Sequence, residues 1–201
     1  MTETADSAEP ADAEAIVALI EALTAFVQDP PTGLTAEDIR RDGFGPDAWF
    51  DGFLAEQDGK PVGYALCYFG FSTDHGGRGL HLADLYVDPA LRGSGLGKAL
   101  MAAVARHGRA QGALWLVWDV WVRNHTAEAF YAAIGARRYD DVFAMTLKGD
   151  ALAALAREDQ HRAGQPGDGG AGDQAEGVGA GGQGGQAGVQ LAGGGADQHG
   201  A

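Results

Sequence analysis

Cysteine is almost absent from this 201-residue chain: Cys67 stands alone, so no intrachain disulfide can form and a reducing, cytoplasmic location is expected. Long apolar runs are missing too. None approaches the roughly 18 residues needed to span a bilayer, and the acidic start (Glu3, Asp6, Glu9, Asp12, Glu14) lacks the positive charge of a secretory signal. Basic side chains are scarce: 14 Lys and Arg against 28 Asp and Glu leave a net charge of −14, which argues against a nucleic-acid binder. No histidines stand at metal-ligand spacing, so no metal is expected.

What is present is unevenly spread. Residues 1–58 hold 14 acids and 2 bases, while residues 59–160 are nearly neutral. Sixteen of the 33 glycines fall in residues 161–201, a stretch without aromatics whose only larger aliphatics are Val178, Val189 and Leu191. Such a segment cannot bury enough apolar surface to offset its backbone entropy, so a folded domain over 1–160 and a disordered Gly-rich tail over 161–201 are expected.

Within the domain, Ile16, Leu19, Ile20, Leu23, Phe26 and Val27 recur at helical spacing, and Thr35 with Asp38 forms a capping-box signature for a second helix. Residues 50–57 and 61–71 read as strands joined at Asp58-Gly59, a hairpin signal. Residues 81–87 read as a third strand ended by Pro89, and 72–79 (STDHGGRG) as a flexible loop that could flap over an acceptor site. A glycine-rich turn at 93–97 leads into a helix to about Arg109 with Leu100, Met101 and Val104 buried. The apolar stretch 113–122 predicts a long central strand carrying Trp115, Trp118 and Trp121 mainly into the core. Thr126 is expected to cap a helix over 127–134 closed by Gly135, and 141–147 to form a last strand. No strand is expected at ETADSA, which has no apolar alternation. The order implies a mixed α/β sheet.

The sharpest local feature is Arg92-Gly93-Ser94-Gly95-Leu96-Gly97-Lys98 between a strand and a helix. Glycines let the backbone approach a ligand, and a helix start offers free N–H groups and a positive dipole end, so the turn suits an anion. Arg92, Lys98, Arg106 and Arg109, with no acid between 92 and 109, favour a phosphorylated ligand. A P-loop does not fit, since Arg92 replaces its first glycine and Ala99 its Ser/Thr; a dinucleotide fingerprint fails at Lys98.

The run Leu85-Tyr86-Val87-Asp88-Pro89-Ala90-Leu91-Arg92-Gly93-Ser94-Gly95-Leu96-Gly97 resembles the acetyl-CoA motif of the GNAT superfamily of N-acetyltransferases. A second family motif follows as Asn124-His125-Thr126-Ala127-Glu128-Ala129-Phe130-Tyr131-Ala132-Ala133-Ile134-Gly135-Ala136. Residues 38–73 look like the second helix and first hairpin of the diamine (spermidine/spermine) N-acetyltransferases. The resemblance implies a GNAT-like, mostly antiparallel mixed sheet flanked by helices.

It also implies a chemistry. The backbone of Leu85, Tyr86 and Val87 would bond the pantetheine arm and polarise the thioester. Arg92, Gly93, Ser94, Gly95, Leu96, Gly97 and Lys98 would hold the pyrophosphate of acetyl-CoA, with Asn124 and Ala127 on the far side of the slot. Tyr131 would protonate the departing thiolate. The acceptor, a small amine, would attack directly. Asp84 and Asp119 are the only acids read within core strands, and a buried charge needs a partner or a task. Asp84 is therefore a candidate for amine binding or proton relay as against a salt bridge, and Asp119 for amine binding. His81, at the head of the same strand, is a lesser candidate base, and Cys67 reads as a buried small hydrophobe.

Three departures from the diamine enzymes stand out: Ala83 where they carry Glu, Val27 where they carry Glu, and Arg123 where Trp is usual. They disfavour polyamines and leave a smaller amine or amino acid open. Acetylation of protein or peptide amines, a non-catalytic acyl-CoA sensor, and assembly through the tail are the competing functions. A homodimer is compatible with the family.

Overall fold

The computed structural model describes residues 3–162. Of the expected tail over 161–201, residues 163–201 lie outside the described residues, and His161 and Arg162 end a helix rather than begin a disordered stretch. Two compact units divide the chain, and the first, residues 1–140, holds the sheet.

The N-terminal strand is present after all. Strand β1 (Glu3–Ser7) pairs antiparallel with β2 (Asp51–Gln57), Ala5 opposite Ala55. An edge strand is held by main-chain hydrogen bonds and needs only one small side chain toward the core, here Ala5; apolar alternation was the wrong signal to demand. A short 3-10 turn at Pro10–Asp12 then opens α1 (Ala13–Val27), whose buried face is Ala13, Ile16, Ile20 and Thr24. Helix α2 (Ala36–Phe44) starts at the anticipated capping box, Thr35 Oγ1 accepting from Asp38 N and Asp38 Oδ2 accepting from Thr35 N.

The hairpin of β2 and β3 (Lys60–Ser72) turns at Asp58 and Gly59, both at positive φ (51° and 74°), as a tight two-residue loop requires. Strand β4 (Gly77–Val87) begins earlier than expected, so only Thr73–Gly76 remains as a connection and the anticipated flap shrinks to a turn. Between β3 and β4 the register slips: Leu66 faces Asp84 while Cys67 faces Leu82, leaving Ala83 as the extra residue of a bulge. The slip reverses the alternation beyond it. His81 and Asp84, three apart, therefore meet Tyr68 and Tyr64 on the same face of β3.

Helix α3 (Leu96–Ala110) covers one face of the sheet through Leu96, Leu100, Met101 and Val104, against Phe53, Ala65, Cys67, Leu80 and Leu82. The other face, with Leu54, Tyr64, Leu66 and Tyr86, is covered by Ile16 and Ile20 of α1 and Ile39 of α2. Cys67 is fully buried and its thiol is pushed up to about 12, an inert position.

Strand β5 differs most from expectation. It is three residues long (Trp115–Val117), parallel to β4, and at the sheet edge rather than its centre: the order is β1-β2-β3-β4-β5. The pairing ends at His81 and Val117, and Trp118 beyond it rests on Tyr131, ring centroids 4.8 Å apart. Trp121 is exposed rather than core. The Trp115 indole lies over Gly79, where a Cβ would come within 2.0 Å of the ring. Helix α4 (His125–Ala133) follows, and Gly135 at φ 93° terminates it. Its cap is Asn124, not Thr126: Asn124 Oδ1 accepts from Ala127 N at 3.1 Å.

In the second unit, residues 141–147 form no strand, since none of the sheet's strands pairs with them and a short strand is not stable alone. Helix α5 (Gly149–Arg162), which the sequence pattern did not suggest, occupies the end of the described chain.

Candidate active site

Strands β4 and β5 are hydrogen-bonded only from Gly79–His81 to Trp115–Val117. Past that point they part. Leu85, Tyr86 and Val87 keep β3 on one side and have no strand partner on the other, so their backbone lines an open slot. At its foot Asp88 Oδ1 accepts from Ala90 N at 2.9 Å, turning the chain through Pro89–Leu91 into the glycine loop. Gly93 and Gly95 have φ of 84° and 103°, a region that disfavours any side chain, and Gly95 is the N-cap of α3. Among the described residues the amides of Gly93, Gly95, Gly97 and Lys98 meet no acceptor. They stand at a helix start, where amides without a main-chain partner suit an anion.

The basic residues divide. Arg92 lies at the turn, its guanidinium 4.2 Å over the Phe26 ring and Nε donating to Val87 O at 3.4 Å; Lys98 follows in the first turn of α3. Arg106 and Arg109 sit in the last turns, about 15–20 Å along the axis from its start, and Arg109 donates to Ala113 O. They do not belong to the cradle.

Helix α4 approaches from the far side. A Cβ on Gly97 would lie 3.6 Å from the Phe130 ring and 3.9 Å from Val87, so the glycine turn, the end of β4 and α4 meet there. Capping engages the Ala127 amide through Oδ1, and among the described residues the Asn124 side-chain amide hydrogens meet no acceptor. Tyr131 rests between Trp118 and Phe130 (4.8 and 5.1 Å), and burial pushes its phenol up to about 12.

On the α1–α2 face, half-buried Asp84 accepts from Tyr64 Oη at 3.1 Å. Burial raises its carboxyl above the usual range, opposed by the Tyr64 hydrogen bond. Among the described residues it forms no ion pair. Asp119 lies exposed past the end of β5, its carboxyl raised by partial desolvation against the lowering effect of nearby His81. His81 is clasped by aromatics, stacked on Tyr68 (5.0 Å) and edge-on to Trp115 (5.1 Å), with desolvation holding its imidazole below the ordinary value. Its ring leans over Gly70, where a Cβ would come 3.0 Å from Nε2, and so toward the far end of the sheet from Asp84. Tyr64 escaped the sequence reading because a tyrosine in an apolar strand looks like core; only the bulge brings Asp84 to it.

Comparison with known proteins settles the lineage. A sequence profile described as the Acetyltransferase (GNAT) family matches residues 18–136. This chain belongs to the GNAT acetyltransferase family. A thialysine N-epsilon-acetyltransferase of Bos taurus is 33% identical over 134 residues, covering 61% of this chain and 78% of its own length. A thialysine N-epsilon-acetyltransferase of Caenorhabditis elegans is 30% identical over 153 residues, covering 74% and 94%. Among solved structures, an integron cassette protein from the mobile metagenome of V. cholerae superposes with a TM-score of 0.65 at 22% identity, covering 79% of this chain and 99% of its own; it shares the GNAT fold. The protein is therefore an N-acetyltransferase built on a five-stranded mixed sheet. None of its described helices is long and apolar enough to cross a membrane.

Proposed function

We propose that this GNAT enzyme, with its domain over 1–160, moves an acetyl group from acetyl-CoA to the primary amine of a small cationic acceptor. The observation that carries this is the pairing of an open slot ending in four unsatisfied amides with a half-buried carboxylate that has no cation of its own. The first suits a pyrophosphate and the second an ammonium. Thialysine, named for the animal relatives, presents such an amine on a short chain, and lysine and ornithine share its chemistry. The surplus acid of residues 1–58 would draw cations toward the α1–α2 side.

The roles follow the geometry. Amides of Gly93, Gly95, Gly97 and Lys98, with Arg92, Ser94 and Leu96 shaping the loop, hold the pyrophosphate. The backbone of Leu85, Tyr86 and Val87, which has no strand partner beyond β3, fixes the pantetheine arm and polarises the thioester carbonyl. Asn124 lines the opposite wall through its side-chain amide, with Ala127 beside it. Asp84 receives the ammonium and takes one proton, Asp119 adding negative charge past the end of β5. The freed amine nitrogen bonds the carbonyl carbon, the carbon–sulfur bond breaks with the Tyr131 hydroxyl donating to the departing thiolate, and the nitrogen gives up its second proton, which leaves the thiol protonated and the phenol restored.

A thiol-release assay tests this with acetyl-CoA against thialysine, lysine, ornithine, spermidine, an aminoglycoside and an N-terminal peptide. Turnover greatest with the amino acids supports the proposal. Binding of acetyl-CoA without turnover of any amine leaves a non-catalytic sensor and refutes it; peptide as the best acceptor moves the function to protein amines.

A further inference from the structure

Tyr64 has been given no part in the reaction, and its surroundings show more than packing. It is fully buried in β3, its ring 6.4 Å from that of Tyr86, yet its hydroxyl is not in solvent or on a main-chain carbonyl: it donates to one oxygen of Asp84. Burying a phenol is costly without a partner, and the partner here is the carboxylate that the bulge at Ala83 turns onto the acceptor face.

We infer that Tyr64 is a positioning residue for acetyl transfer: by holding Oδ2 of Asp84 it presents the other oxygen, Oδ1, to a primary ammonium and keeps the carboxylate ionised in a half-dry site. The inference rests on the proposed role of Asp84 and adds how that role is made possible. Desolvation works against the charged carboxylate, and the phenol is the one group in contact with it that works the other way. Burial and the Asp84 charge hold the Tyr64 phenol far above its ordinary value, so it never loses its proton in the working range and acts as a fixed donor. The other titratable group beside the pair is Tyr86 on β4; among the described residues no lysine, arginine or histidine forms an ion pair with Asp84. One hydrogen bond thus leaves one oxygen and one charge for a single ammonium. A site of that form favours an acceptor whose reacting end carries one amine on an apolar stem.

The test is a double-mutant cycle in the full-length enzyme, read by thiol release with acetyl-CoA and thialysine across pH. Tyr64→Phe keeps the ring and removes the donor. It is expected to lower kcat/KM for the amine about tenfold or more, the loss typical of a hydrogen bond to a charged group. It should also move the acidic limb of that profile to higher pH and leave the KM for acetyl-CoA unchanged. In the Asp84→Asn background the same change should have little further effect. A more acidic phenol of the same shape, 3-fluorotyrosine placed at position 64, should move the limb the opposite way, which settles the matter even where Tyr64→Phe folds poorly. If Tyr64→Phe slows the Asp84→Asn enzyme as much as the parent, or leaves the acidic limb in place, Tyr64 acts only through packing and the inference fails while the role of Asp84 stands. If Asp84→Asn is as active as the parent, the assigned role of Asp84 fails first and takes this inference with it.

Discussion

Replacing Tyr131 by phenylalanine separates chemistry from architecture. The ring contacts with Trp118 and Phe130 survive the change, and among the described residues the hydroxyl has no hydrogen-bond partner to orphan. The melting temperature should therefore hold within about 2 °C, the shift of a surface-scale change of ~0.5 kcal/mol in a chain this long. The catalytic loss follows from the phenol's position at about 12. A thiol of ordinary acidity lies near ~8.5, so full transfer from this phenol to a free thiolate is uphill by about 3.5 units, ~5 kcal/mol. What Tyr131 supplies is then a hydrogen bond to charge gathering on sulfur, about 1.5–3 kcal/mol, or roughly 10- to 150-fold in kcat. Because the phenol stays protonated well past neutrality, the substitution should scale the pH profile between about pH 6 and 9 without changing its shape. The assay is steady-state thiol release at saturating thialysine, with acetyl-CoA affinity measured by calorimetry. A kcat within twofold of the parent, or a tenfold loss of acetyl-CoA affinity, would refute the reasoning.

The glycine turn gives a second expectation: Gly95→Ala forces a side chain into φ 103°, costing about 1–3 kcal/mol of strain, and should raise the KM for acetyl-CoA roughly tenfold with kcat little altered. At the sheet edge, Gly79→Ala places a Cβ against Trp115, so thermal melting should show a loss of about 1–3 kcal/mol from overpacking. Asp84→Asn should stabilise the fold at neutral pH while lowering amine turnover steeply to a measurable residue. A carboxyl raised in the folded state binds its proton more tightly than in the unfolded chain, so it costs stability once ionised; the advantage of the amide in paired melts should shrink as pH falls through the raised value and vanish below the ordinary carboxylate range. A chain ending at residue 162 should keep the full chain's kcat with thialysine; loss of turnover would assign the glycine-rich segment a role.

Much of this site could be read from residue order. The turn at 92–98 and helix α4 each carry a short motif whose geometry is local, and they meet the end of β4 at Gly97, where Phe130 and Val87 come close. What could not be read depended on contacts between distant segments. Strand β1 carries almost no apolar signal because its hold is main-chain pairing with β2. The stretch 113–122 is apolar enough for a long strand, but only Trp115–Val117 pair with β4 and Trp118 packs on the Tyr131 ring, a contact between distant segments. The bulge at Ala83 is invisible in an alternating pattern, and with it the meeting of Asp84 and Tyr64. Thr126 is the expected cap of α4, yet the cap is Asn124, whose oxygen reaches the Ala127 amide three residues on.

The seat of Trp115 carries a further consequence. Its indole lies across β4 where Gly79 and, on β3, Gly70 leave the sheet face bare, with Nε1 donating to Gly77 O at 2.9 Å. Three positions far apart in the chain are thus bound by volume rather than by charge or catalysis. A smaller residue at 115 leaves a hollow that neither glycine can fill, a larger one at 79 evicts the indole, and a larger one at 70 crowds the His81 ring first and the indole behind it. Drift at any of the three is tolerable only in concert with the others. Across descendants of this chain, side-chain size at 115 should run opposite to size at 79 and 70, a co-variation set by the seam where the slot begins.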